Sequence, residues 1–114
     1  MVNIEKWNAM PASIKMGNIG SEVCRVINCW EKKSPYLQAS FERSLELIDA
    51  TLNKGLSAGG IRELRLVREW LVELMCGAHD GANGRAIKAY FDTFALHRES
   101  RAYFKALHPV SISG

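Results

Sequence analysis

Apolar residues recur every three or four positions in four stretches of the chain, which is the spacing of one face of an α-helix. The first three stretches cover about residues 13–32, 34–52 and 60–76, and the fourth begins near Asn83. Proline, serine and glycine lie between the stretches, where helices commonly begin and end. No stretch alternates apolar and polar residues over the length of a β-strand. The pattern therefore predicts an all-α protein with four long helices.

Each predicted helix carries one apolar stripe that would face a common core. The stripes are Met16, Ile19, Val23, Val26, Ile27 and Trp30; Leu37, Phe41, Leu45, Ile48 and Leu52; Ile61, Leu64, Val67, Leu71 and Leu74; and Ile87, Tyr90, Phe91 and Phe94. Because short connections place consecutive helices side by side in opposite directions, we expect an antiparallel four-helix bundle. We expect one domain over residues 1–114, with an N-terminal arm at 1–12 and a flexible tail at 109–114. Residues 99–108 either continue the fourth helix or form a short fifth one.

Two glycines interrupt the first stripe, in the segment KMGNIGSEVCR at residues 15–25. A phosphate-binding loop would need a strand before these glycines and a Walker lysine after them, and the sequence has neither. Gly17, Gly20 and Cys24 are all small and share one flank at helical spacing. A glycine inside a helix costs about 1 kcal/mol relative to alanine, so a compensating contact is expected. We predict close packing of a helix on this flank, from the same chain or another copy. A local bend or a helix start at Ser21 is the alternative.

The composition indicates a folded protein without strong charge bias. The net charge is +3, and residues 85–114 alone hold five basic and two acidic residues. This excess is smaller than the basic stripe of a dedicated nucleic-acid-binding protein. The N-terminus lacks the apolar segment of a signal peptide, and no apolar run approaches the length of a membrane span. We therefore expect a cytoplasmic protein whose three cysteines, Cys24, Cys29 and Cys76, are free thiols.

Arginines at Arg62, Arg65 and Arg68 follow one another at intervals of three on the third predicted helix. Glu69 and Glu73 lie on the same helix, so one interpretation is an exposed flank with salt bridges between neighbouring turns. The alternative is a contact for an acidic partner or a phosphate backbone, which arginine binds with two parallel hydrogen bonds. The candidate contact residues for a partner or a nucleic acid are Arg62, Arg65, Arg68, Arg98 and Arg101.

Combinations of residues that bind metals or catalyse reactions are incomplete in this sequence. Cys76 and His79 form a C-x-x-H pair, but a structural zinc site needs a second pair of ligands. Arg101 and His108 have the R-x6-H spacing of the helical HEPN ribonucleases, a spacing that often arises by chance. No Ser-His-Asp triad or di-iron E-x-x-H pattern is present. We expect no enzymatic activity, no metal and no cofactor, with a HEPN-like ribonuclease as a second alternative.

Four segments, in this order and spacing, resemble a group of small all-helical bacterial proteins of unknown function. The segments are GNIGSE at 17–22, FERSLELID at 41–49, RELRLVRE at 62–69 and YFDTFAL at 90–96. The resemblance spans about residues 14–98 and implies a fold but no activity. Residues 13–22, with one extra residue, also resemble the SI-x-x-NIAE stretch of the four-helix-bundle proteins encoded in ribosomal-RNA intervening sequences. That resemblance implies an oligomeric bundle that binds RNA-containing partners.

The aromatic content suggests that apolar surface remains outside the core. The chain has three tryptophans, four phenylalanines and three tyrosines, which is plentiful for a core of this size. We therefore predict a non-enzymatic interaction module that self-associates or binds a protein partner. The first alternative is an accessory protein that binds nucleic acid through Arg62, Arg65 and Arg68 or through the basic region 85–105.

Overall fold

The computed structural model describes residues 3–53 and 56–95 of the chain, with side chains as far as residue 93. Within these residues no β-strand forms, and the all-α prediction is confirmed. The predicted fifth helix at 99–108 and the predicted tail at 109–114 lie outside the described residues. The helices in the described part are α1 (Ile4–Ala9), α2 (Ala12–Glu31), α3 (Leu37–Leu52), α4 (Ala58–Met75) and α5 (Gly84–Ala95).

The long helix α2 packs against both α3 and α5, and α3 packs in turn against α4 and α1. Gly20 lies beside Phe91 and Ile27 lies beside Gly84, so α2 and α5 run in opposite directions. The five-residue connections 32–36 and 53–57 make α2, α3 and α4 antiparallel neighbours in sequence order. The arrangement of α2 to α5 is compatible with the predicted four-helix bundle.

One hydrophobic core joins these helices. Its buried members are Trp7, Met16, Ile19, Val23, Val26, Ile27, Leu47, Ile48, Leu64, Val67, Leu71, Leu74 and Phe91. The stripes predicted for α2 and α4 are therefore largely buried. On α3 the buried face is rotated, because Ser40, Ser44 and Thr51 are buried whereas Leu37 and Phe41 are only half-buried. The buried face of α3 therefore combines small polar side chains with the large apolar side chains of Leu47 and Ile48.

The segment predicted as an N-terminal arm contains the short helix α1. Asn3 caps it by accepting a hydrogen bond from the Lys6 N–H at 3.1 Å. The Trp7 side chain is buried, and its Nε1 donates to Thr51 Oγ1 at 2.7 Å. A six-residue helix is too short to be stable alone or to show a clear period. Contact with α3 therefore stabilises α1. The sequence pattern did not predict this helix.

A serine caps the N-terminus of α4, and another serine orders the turn before α3. The Ser57 hydroxyl accepts a hydrogen bond from the Gly60 N–H at 3.1 Å, so α4 begins at Ala58, two residues before the predicted start. Ser34 accepts from the Tyr36 N–H at 3.1 Å and caps a turn that precedes α3. The Ser57 cap satisfies a backbone donor that α4 itself leaves free, whereas the N-cap residue of α3, Tyr36, makes no side-chain hydrogen bond to that helix.

Both α2 and α4 end with a residue in the left-handed conformation. Gly77 has φ +77° and ends α4, as the glycine in the sequence predicts. Lys33 has φ +54° and ends α2, with the Ser34 N–H donating to the Cys29 carbonyl at 2.9 Å. This conformation suits glycine and costs a residue with a Cβ roughly 1 kcal/mol.

In the part of the chain that the structure describes, no helix combines the length and hydropathy that crossing a bilayer requires.

Candidate functional site

The side of α4 that points away from the core is the candidate functional surface. Leu64, Leu71 and Leu74 are almost completely buried, so the residues half a turn away from them face solvent. We call these residues the outer face of α4, and they are Arg62, Arg65, Leu66, Glu69 and Glu73, all of them exposed. Leu66 is 61% exposed, which makes it one of three large apolar side chains that are exposed among the described residues.

Charges on the outer face of α4 are separated along the helix. Arg62 and Arg65 occupy its N-terminal half, Glu69 and Glu73 its C-terminal half, and Leu66 lies between them. Arg65 and Glu69 are four residues apart, yet none of the four charges joins an ion pair of the described residues. An exposed pair at this spacing gains only about 0.3–0.5 kcal/mol, which solvation and side-chain entropy offset. The expected salt bridges between turns are therefore not formed here, and the charges stay available.

The third arginine of the row, Arg68, contacts α3 instead of lying on the outer face. Its Nε donates to Asp49 Oδ1 at 2.7 Å and its Nη2 to Asp49 Oδ2 at 3.3 Å. This hydrogen-bonded pair raises the pKa of the Arg68 guanidinium. The structure thus brings together Arg62 and Arg65 of the predicted row and uses Arg68 to hold α4 on α3.

The glycine flank of α2 faces α5 of the same chain. A Cβ added at Gly20 would lie 2.5 Å from the Cβ of Phe91, closer than two such carbons approach. One turn further on, Cys24 is half-buried, and burial raises the pKa of its thiol while the neighbouring Lys88 lowers it. Gly17, one turn before Gly20, is half-buried. At Gly20 the neighbour is therefore an intramolecular helix.

The C-x-x-H pair does not form a metal site with other described residues. His79 Nδ1 accepts from the Gly81 N–H at 3.0 Å, and its Nε2 lies 3.0 Å from the Trp70 carbonyl oxygen. Because a carbonyl only accepts, the ring proton is on Nε2 and both ring nitrogens are engaged. Cys76 is exposed. The described residues contain no group of three or more His, Cys, Asp or Glu side chains suited to a metal ion.

The loop that contains His79 is packed on two tryptophans, which the turn-rich sequence did not reveal. Trp70 Nε1 donates to the Ala82 carbonyl at 3.0 Å, and the Trp70 and His79 ring centroids are 5.0 Å apart. Gly81, with φ +87°, is so close to the ring of Trp30 that a Cβ would lie 2.9 Å from it. His79 and Gly81 therefore order the connection from α4 to α5.

A cleft of about 400 Å³ lies beside this loop. Its lining includes Trp30, Trp70, Glu31, Asp80, Arg85 and Lys88. The lining holds two acidic and two basic side chains, so its charge selects neither an anion nor a cation. The amine of Lys88 already donates to Asn28 Oδ1 at 2.9 Å, which links α5 to α2. The cleft is therefore a weaker candidate than the outer face of α4.

Sequence reasoning also missed a buried polar row on α2, next to its apolar stripe. Lys15, Asn18 and Glu22 are 2%, 9% and 5% exposed, at spacings of three and four. Glu22 Oε1 lies 3.2 Å from Nη1 of Arg25 and 3.6 Å from Nε of Arg43 on α3. The helical spacing of the polar row is visible in the sequence, but only the position of α3 shows that Glu22 is covered.

Arg98, Arg101 and His108 lie outside the described residues.

The sequence matches no protein-family model, and searches of curated proteins and of solved structures find no match. The resemblance to the small bacterial proteins and to the intervening-sequence bundles therefore stays a prediction.

Proposed function

We propose that this chain is a non-catalytic interaction module that binds a protein through the outer face of α4. The observation that carries the proposal is the position of Leu66, which is 61% exposed between two pairs of charges that join no ion pair with the described residues. An exposed apolar side chain with a charged rim has the composition of a small protein–protein contact.

Among the described residues, several side chains that could take part in catalysis are engaged in structural contacts or held in their neutral form, which supports a binding role. His79 is held at both ring nitrogens by the backbone, and Arg68 is held by Asp49. Burial, together with the carboxylate and hydrogen bond of Glu63, raises the pKa of Tyr90 to about 12. The raised pKa of the Cys24 thiol reduces the thiolate fraction that a nucleophile needs.

Nucleic-acid binding is the second candidate function, because Arg62 and Arg65 are exposed and join no ion pair of the described residues. A phosphate backbone laid along α4 would meet Glu69 and Glu73 on the same face, and these carboxylates would repel it. Nucleic-acid binding would also weaken steeply with salt. A protein partner suits the mixed charges better.

The test is a photo-crosslinking residue placed at Leu66 of the full chain in its host cells. The matched control carries the same residue at Tyr36, which is 72% exposed and lies outside the outer face of α4. We expect protein adducts at position 66 that persist after nuclease treatment and are absent at position 36. Adducts to nucleic acid, or the same adducts at both positions, would contradict the proposal.

A further inference from the structure

We infer that the protein bound by the outer face of α4 is a second copy of the same chain, with the two α4 helices antiparallel about a two-fold axis. The inference rests on the proposed function and adds the identity and orientation of the partner. It is carried by the order of charges on the outer face of α4, with both arginines before Leu66 and both glutamates after it.

A helix with this order of charges is complementary to itself when one copy is reversed. In an antiparallel two-fold pair, each residue before the axis lies opposite the residue equally far beyond it. With the axis beside residue 67, Arg65 lies opposite Glu69 of the second copy. The same axis places Arg62 within one residue of Glu73 of the second copy. Both contacts occur twice, so four opposite-charge contacts form. They use four charges from each chain, and none of these charges joins an ion pair within the described part of a single chain.

Leu66 lies one residue from this axis, so the two copies bring their leucines together. At 1.5 Å of rise per residue, the two leucines are offset by only about 3 Å along the axis. Each side chain, 61% exposed in the single chain, then covers the other. A lone exposed leucine is common on protein surfaces and carries no such conclusion. Here its position between the arginines and the glutamates gives the pair an apolar centre with a charged rim.

The charges also decide the orientation. A parallel pair in register would bring arginine against arginine and glutamate against glutamate, and like charges across an interface oppose association. The contact is one helix from each copy, and α4 has 18 residues, so it extends over about 27 Å. An interface of this size is at the weak, reversible end of protein contacts. We therefore expect a dimer that forms at high protein concentration.

The experiment is sedimentation equilibrium of the full chain, up to about 0.5 mM protein because the interface is small. Four chains are compared: wild type, Arg65→Glu, Glu69→Arg, and the double variant that exchanges the two charges. Each single variant puts like charges in both symmetric contacts, so the dissociation constant should rise about tenfold or more. The double variant restores opposite charges and should recover the wild-type constant. Glu46→Arg, an exposed charge change on α3, should leave it unchanged.

Recovery in the double variant shows that residue 65 of one copy lies against residue 69 of the other, because a dimer formed through another surface would not respond to these charges. Circular dichroism of each variant checks that the chain folds, so a lost dimer is not an unfolded chain. A wild type that stays monomeric, or a double variant weaker than both single variants, would overturn the inference. Crosslinking from Leu66 separates this failure from failure of the proposed function. An adduct to a different protein supports the proposed function alone, whereas an adduct of twice the 12.8 kDa chain mass supports both.

Discussion

Replacing Gly20 by alanine would put a methyl group where α2 touches α5. The added Cβ would lie 2.5 Å from Phe91 Cβ, 2.7 Å from Cγ and 2.9 Å from Cδ1. The Cβ of Phe91 cannot rotate away, because it is bonded directly to the backbone of α5. Since Phe91 is only 3% exposed, it also has no solvent side to move into. The methyl group can therefore be accommodated only if the two helices separate by about 1 Å, since carbons in contact are about 3.5–4.0 Å apart.

Two opposing terms set the size of the effect. Extra methyl groups in a packed core typically cost about 1–3 kcal/mol, and a contact this short belongs in the upper part of that range. Alanine is better than glycine in a helix by about 1 kcal/mol, which offsets part of the cost. We expect Gly20→Ala to lower the free energy of unfolding by about 1–2 kcal/mol, or the midpoint of thermal unfolding by several degrees.

The assay is urea unfolding followed by circular dichroism, with Gly59→Ala as the matched control. Gly59 also lies in a helix, but a Cβ added there would meet no atom within 4 Å. The control should be as stable as the wild type, or more stable by up to about 1 kcal/mol, because only helix propensity changes. A Gly20→Ala chain as stable as the Gly59→Ala chain would refute the close contact between α2 and α5.

Three further predictions test other parts of the fold. Lys33→Gly should raise the free energy of unfolding by up to about 1 kcal/mol in urea unfolding, because Lys33 ends α2 at φ +54° and glycine adopts that conformation without strain. The pKa of Tyr90, raised by burial to about 12 from 10.0, means that the folded state favours the neutral phenol. The contribution of the neutral phenol to the free energy of unfolding is fully present below about pH 10 and is lost as the pH rises to about 12. The free energy of unfolding of the wild type should therefore fall more over this interval than that of Tyr90→Phe. Trp7→Phe removes the 2.7 Å hydrogen bond to Thr51 and should destabilise the fold by about 1–2 kcal/mol.

Each of these predictions has its own control. Lys32→Gly should destabilise the fold or leave it unchanged, because Lys32 has φ −89° and gains nothing from glycine. Equal losses for wild type and Tyr90→Phe between pH 10 and 12 would show that the phenol is not responsible. For Trp7, a double-mutant cycle with Thr51→Val isolates the hydrogen bond, and a coupling energy near zero would contradict its contribution.

The helices that the sequence predicted well are those whose apolar stripe is simple. On α4, Leu64, Leu71 and Leu74 repeat at helical spacing and are buried, because one face of a helix on a core must be apolar. On α3 the face that is buried is rotated from the apolar stripe that the pattern predicted, since Ser40 and Ser44 are buried although they are polar. Their small size suits close contact with α2, and sequence periodicity does not measure size.

The candidate surface was predictable only in part. Arg62, Arg65 and Arg68 are three residues apart, and each step of three turns the helix by about 300°, so the row drifts around α4. That drift takes Arg68 to Asp49 on α3 and leaves the other two arginines in solvent. The sequence shows the drift, but the partner of Arg68 depends on where α3 lies. The engaged nitrogens of His79 likewise depend on how the loop folds back onto Trp70.

The sequence alone determined that this protein is built from amphipathic helices and roughly where α2 to α5 lie, because local spacing of apolar residues is a property of the chain. It also marked Gly20 as a site of close approach, since a glycine inside a helix needs a compensating contact. Only the tertiary structure decided that Phe91 makes this contact, that Trp7 is buried, and that Leu66 remains in water. These outcomes depend on contacts between residues distant in sequence, which no local pattern specifies.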